Sequence, residues 1–213
     1  VDRIIGGLEK KNKIITPKEK RTIAYHEAGH ASVSWLLQYA NPLVKVTIVP
    51  RGQALGAAWY LPEERQITTK AQLLDQMISL LGGRAAEEIV FGEVSTGALN
   101  DLERVTKQAY AMVVYYGLDK EIGNISFYDS SGQSEYGFQK PFSDKTAEKI
   151  DAQIRSMVEE AYNRAKTILI ENREKLDALA TILVEREVIF REDVENIYGK
   201  RPWDEEKTDE QQA

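Results

Sequence analysis

Tyr25-His26-Glu27-Ala28-Gly29-His30-Ala31 is the stretch on which the fold and the chemistry turn. Its two histidines are the only two in 213 residues, and they stand four positions apart. On a helix of about 3.6 residues per turn, positions i and i+4 share a face, so both imidazoles can reach one cation. Glu27 is rotated by about 100° from His26, which hangs its carboxylate beside that cation rather than on it. Two nitrogen ligands with an adjacent carboxylate are the parts that activate a metal-held water in the His-Glu-x-x-His pattern of zinc peptidases. The competing reading is an amphipathic helix whose histidines merely face solvent. Placing both histidines of the protein around one glutamate favours the metal.

Composition narrows what that metal can be. Hydrophobic residues make up 42% and charged residues 29%, enough apolar content for one well-buried domain or two small ones. The formal charge of −6, with no long Lys/Arg run, argues against a nucleic-acid surface. Cysteine is absent, so there is no disulfide framework and any zinc falls to His, Asp or Glu. That excludes a thiolate structural site and points to an open, catalytic one. No apolar run approaches the roughly 18 residues of a spanning helix, and no signal-peptide pattern opens the sequence. The chain is expected to be soluble, without a membrane segment.

The elements around the motif follow from caps and periodicity. Thr16-Pro17-Lys18-Glu19 is a capping box with proline at the first helical position, and Asn41-Pro42 should stop the helix near Ala40. Gly29 costs a helix interior roughly 1 kcal/mol relative to alanine. It is expected to admit another backbone, a substrate or a crossing helix. Leu43–Val49 alternates as a strand, Pro50-Arg51-Gly52 turns, and Ala54–Leu61 reads as a second strand. Gly56, Ala57 and Ala58 would let an extended peptide pair with this strand if it lies at an edge; a tight hairpin is the competing reading.

Thr69-Lys70-Ala71-Gln72 caps a helix carrying Leu73, Leu74, Met77, Leu80 and Leu81. Gly82-Gly83 is expected to break or tighten it before a short helix, Arg84–Phe91, closed by Gly92. A polar turn at Ser95–Asp101 opens a helix with Leu102, Val105, Ala109, Met112, Val113 and Tyr116 as its buried stripe. Leu118–Phe142 should be largely irregular, with one strand at Ile125–Tyr128. A long helix from Ser143-Asp144 to about Ile170 and a partner through Leu176–Val184 read as a helical hairpin, before a short helix at Arg191–Tyr198. Residues 1–15 have no clear partner, and 200–213 are polar and expected to be disordered. The fold class is mainly α with a small β-sheet: a helical zinc-metallopeptidase domain over 16–199.

Catalytic zinc takes three protein ligands and leaves a position for water. With no third histidine, the third ligand must be a carboxylate, and the residues leave two choices open: Glu87 or Glu88, or Asp101. Asp101 lies among small residues that a ligand can approach, which favours it modestly.

Tyr25–Ala31, Gly82-Gly83-Arg84-Ala85-Ala86-Glu87-Glu88 and Ser95-Thr96-Gly97-Ala98 through Asn100-Asp101-Leu102 together resemble the peptidase domain of the FtsH family, the membrane-anchored ATP-dependent zinc proteases. The resemblance implies one zinc per molecule of this chain on His26, His30 and Asp101, with Glu27 as base. Glu88 then becomes a candidate to orient a ligand histidine. It also implies a homohexameric ring, unfolded or damaged proteins as polypeptide substrates, and a parent at the cytoplasmic face of a bacterial inner membrane or in an organelle inner membrane. No Gly-x-x-x-x-Gly-Lys-Ser/Thr loop is present, so ATP is expected only in a separate module of the parent, with residues 1–15 a remnant of the connecting segment. The rival expectations are a non-enzymatic ring-forming scaffold that binds polypeptide, and a free-standing peptidase for short peptides.

Overall fold

The computed structural model describes residues 16–50, 56–61, 66–128 and 141–203. Helix α1 (Pro17–Leu36) opens with the expected box: the Thr16 hydroxyl accepts the Glu19 N–H, and the Glu19 carboxylate accepts the Thr16 N–H. It stops four residues earlier than expected. Arg201 explains where: its guanidinium donates to the carbonyls of Leu37 (3.0 Å) and Ala40 (2.5 Å), satisfying the unpaired end of the helix. Arg201 is thereby buried, although the sequence places it in a frayed tail.

Every residue of α1 from Ile23 to Trp35 is buried. α1 is central, packed by α2 (Lys70–Phe91), by α5 (Arg173–Arg186) and by the sheet. Small side chains at Ala24, Ala28, Ala31, Ser32 and Ser34 leave room for neighbours on all sides. The closest approach is backbone to backbone. A Cβ on Gly82 would lie 2.7 Å from the Gly29 carbonyl oxygen, and one on Gly29 would collide with Gly82 in turn. The glycine pair at 82–83 therefore does not break α2, which runs unbroken through the expected Arg84–Phe91 helix to the left-handed Gly92. Helix–helix contact compensates the lost propensity.

Strands β1 (Leu43–Thr47), β2 (Ala57–Tyr60) and β3 (Val188–Phe190) form an antiparallel sheet in the order β2-β1-β3. β2 thus lies at an edge of the described sheet, paired antiparallel with its sequence neighbour β1. β3 is not expected from the sequence; three residues carry no readable alternation. It follows α5 through Glu187, a non-glycine residue in the left-handed region (φ 64°).

A 3₁₀ turn (Thr96–Ala98) leads into α3 (Leu99–Tyr110), which continues as a π-helical turn at Ala111–Tyr115. The wider turn, closed by Tyr116 N–H to Ala111 C=O (3.0 Å), rotates Tyr116 outward, so the expected stripe ends at Val113 and Tyr116 is exposed. Ile125–Tyr128 is not a strand. Its Phe127 N–H bonds the Val114 carbonyl of the π-turn instead (2.9 Å). Helix α4 (Asp144–Glu171) packs mainly on α2 and α5 mainly on α1, so the two sequence-adjacent helices share little contact. α6 (Arg191–Tyr198) docks on α1 through Tyr198 Oη to Ser32 Oγ (2.7 Å). Among the described residues there are six α-helices and this one small sheet, and no helix is long and apolar enough to cross a membrane. Residues 1–15, the 51–52 turn and 204–213 lie outside the described residues.

Candidate metal centre

His26 and His30 sit midway along α1, both buried, on the face that meets α2. Their Nε2 atoms are 3.1 Å apart, and each is 3.4 Å from Oδ2 of Asp101 at the start of α3. The outer ring nitrogens are both occupied. His26 Nδ1 lies 2.6 Å from Oε1 of Glu87, and His30 Nδ1 lies 2.9 Å from the Ser79 carbonyl. A carbonyl can only accept, so His30 Nδ1 carries the proton and, in a neutral ring, Nε2 presents its lone pair inward. The Glu87 carboxylate does the same for His26. With both rings neutral, two lone pairs and a carboxylate oxygen converge on one point, a repulsion that either a proton on Nε2 or a metal ion relieves.

The triangle has the size zinc requires. Ligand atoms about 2.0–2.1 Å from a tetrahedral ion lie roughly 3.3 Å from one another, against 3.1, 3.4 and 3.4 Å here. Gly83 supplies the space: a Cβ there would stand 2.6 Å from both Nε2 atoms. Ser79, Gly83 and Glu87 recur every fourth residue of α2, and all three face the histidine pair.

Charge within the site is strongly coupled. Burial opposes protonation of His26, yet hydrogen bonds to Asp101 and Glu87 and the nearby Glu27 carboxylate outweigh it and push its pKa up to about 10. Burial likewise opposes ionisation of Asp101 and Glu87. Hydrogen bonding from His26 and His30 to Asp101, and from His26 and Ser95 to Glu87, nevertheless holds both carboxyls below their ordinary range. Burial raises Glu27, against the pull of the two histidines and of the Ala58 N–H of β2. Gly56 passes directly over the same carboxylate, where a Cβ would lie 2.7 Å from Oε1.

Of the residues expected at the site, His26, Glu27, His30 and Asp101 come together, with Gly56, Ala57 and Ala58 on the wall of the same cleft of about 1640 Å³. Glu88 does not. It points to α4, where it accepts from the Tyr162 hydroxyl and pairs with Lys166 (3.3 Å). Glu87, about 100° around the helix, takes the place expected for it. Oε2 of Glu87 also accepts the Ser95 N–H (2.6 Å), so one carboxylate ties His26 to the turn that launches Asp101. The sequence signal for it is the four-residue spacing from Gly83.

The family model described as peptidase family M41 matches residues 13–197. The chain belongs to peptidase family M41. This M41 chain is 64% identical to the ATP-dependent zinc metalloprotease FtsH of Parabacteroides distasonis over 203 residues, 95% of this chain and 30% of that protein. It is 55% identical to the FtsH of Rhodothermus marinus, covering 95% of this chain and 29% of the relative. It is 46% identical to the mitochondrial inner membrane m-AAA protease component AFG3L2 of Mus musculus, covering 99% and 26%. The M41 chain thus spans about 30% or less of the length of these relatives.

Proposed function

We propose that the protein is a zinc-dependent endopeptidase, with His26, His30 and Asp101 holding the metal and Glu27 as general base. The observation that carries this reading is the inward convergence of the two Nε2 atoms and Oδ2 of Asp101, with both Nδ1 atoms anchored elsewhere. A zinc ion on these ligands supplies Lewis acidity, lowering the pKa of water and polarising the scissile carbonyl. Glu27 takes the proton as water attacks the carbonyl carbon and returns it to the departing amine. The backbone from Gly56 to Ala58 covers Glu27, which is buried beneath it. The edge of β2 away from β1 receives the substrate as an added strand along Gly56-Ala57-Ala58.

In the whole protein we place this unit, residues 16–199, as the proteolytic part of an ATP-dependent, membrane-anchored homohexamer acting on unfolded or damaged proteins, with ATP bound in a separate module. The resemblance and the names of the relatives support that. The higher identity to bacterial than to mitochondrial relatives favours the cytoplasmic face of a bacterial inner membrane. Zinc content and casein degradation, measured for the parent and Glu27→Gln, test the reading. The substitution should leave about one zinc per molecule and abolish cleavage. Cleavage at the parent rate would remove Glu27 from the mechanism.

A further inference from the structure

Asp101, Arg104 and Gln108 form one stripe of α3 along the wall of the cleft. Asp101 faces the histidines, and Gln108 Nε2 donates to the Leu73 carbonyl (2.6 Å). Arg104 is exposed and makes no hydrogen bond, ion pair or ring contact with any described residue. Its neighbour Glu103 is taken by Lys107 (2.5 Å). Arg21, another arginine of the cleft, is used differently, lying over the rings of Tyr25 and Phe91. Arg104 is therefore a cation one helical turn from a metal ligand, and none of the described residues gives it a partner to bind.

Across the same cleft run Ala58 and Tyr60 of β2, alternate residues about 6.6 Å apart at strand spacing. Arg104 and the strand that covers Glu27 therefore line one groove.

We propose that Arg104 is a specificity-determining residue that takes a carboxylate of the polypeptide bound in this cleft. This rests on the peptidase reading of the cleft given above. A substrate strand paired along β2 presents alternate side chains to the facing helix. A guanidinium meets a carboxylate there with two parallel hydrogen bonds. Because the cleft is open to solvent, the preference is modest, about three- to tenfold. Glu or Asp side chains and the terminal carboxylate of a polypeptide share this chemistry.

The test uses the zinc-loaded Glu27→Gln protein, so that peptides bind without being cleaved. Fluorescent ten-residue peptides with amidated C-termini carry a single Glu, walked position by position against Gln controls, and Kd is read by anisotropy. Glu should tighten binding by about three- to tenfold at one position. The gain should vanish in Glu27→Gln/Arg104→Gln and turn into a preference for Lys in Glu27→Gln/Arg104→Glu. A gain confined to peptides with a free C-terminal acid assigns the site to polypeptide ends instead of side chains. No advantage for Glu or a free acid at any position, an advantage that survives Arg104→Gln, or no peptide binding at all overturns the proposal. With Glu27 intact, the preference should appear in KM for the acidic peptide alone. A uniform fall in kcat across all peptides in Arg104→Gln would make the residue an electrophile at the reacting carbonyl and overturn it too. Failure of the peptidase reading is a separate result: the parent then cleaves none of the panel, whatever the binding preference.

Discussion

Glu87 lies 2.6 Å from Nδ1 of His26 and is only 2% exposed, whereas Glu88, next in sequence, faces away toward α4. The pair separates cleanly by experiment. Partners that orient a metal-binding imidazole typically contribute 10- to 100-fold in metal affinity. Glu87→Gln should therefore weaken zinc binding by about that factor, measured by competition against a chromophoric chelator. Glu88→Gln should leave affinity within about twofold, since it touches no ligand. Equal effects of the two substitutions would contradict the assignment.

Gly83 tests the room left for a metal. A methyl group there would sit 2.6 Å from both Nε2 atoms. Gly83→Ala should bind less than about a tenth of a zinc per molecule while keeping the far-ultraviolet circular dichroism of the parent. Full zinc content in this variant would mean that the ion lies elsewhere.

Gly29→Ala probes the helix crossing. Alanine is the better helix former by roughly 1 kcal/mol, so a solvent-facing Gly29 would give a stabilised variant. Contact with the Gly82 backbone makes the opposite expectation: a loss of about 1–3 kcal/mol from overpacking, read from urea melts of the metal-free protein. A stabilised variant would show that α1 and α2 do not approach so closely.

Tyr198 gives a pH signature for the docking of α6 on α1. Burial, offset in part by the Ser32 hydroxyl, pushes its phenol from an ordinary 10.0 up to about 12. The folded state thus favours the protonated form. Its contribution is intact below pH 10 and falls away as the pH rises toward 12, by about 3 kcal/mol in all. Tyr198→Phe should lose less stability than the parent over that range, measured by urea melts at pH 9 to 12. Parallel curves would place the alkaline transition on other groups.

The sequence carries the parts of the site that depend on one period. His26 and His30 share a face because they are four apart, and no tertiary information is needed for that. The edge position of β2 is not legible in this way, since Gly56, Ala57 and Ala58 suit a tight hairpin as well as an open edge. What cannot be read locally is which of two adjacent glutamates turns toward the histidines. That choice is made where α1 crosses α2 at Gly29 and Gly82, which reads from sequence as a helix break. The end of α1 is hidden for a similar reason: Arg201, 164 residues from Leu37, supplies the cap. β3 and the π-turn are too short to carry a period of their own.

Helix α1 and the start of α3, far apart in sequence, are proposed to hold one zinc ion between them. The most direct measurement is a crystal structure of the zinc-loaded protein with anomalous data across the zinc edge. A single strong peak is expected about 2.0–2.1 Å from Nε2 of His26, Nε2 of His30 and Oδ2 of Asp101, beside the Glu27 carboxylate. A peak elsewhere, or one coordinated by the histidines with Asp101 turned away, would contradict it.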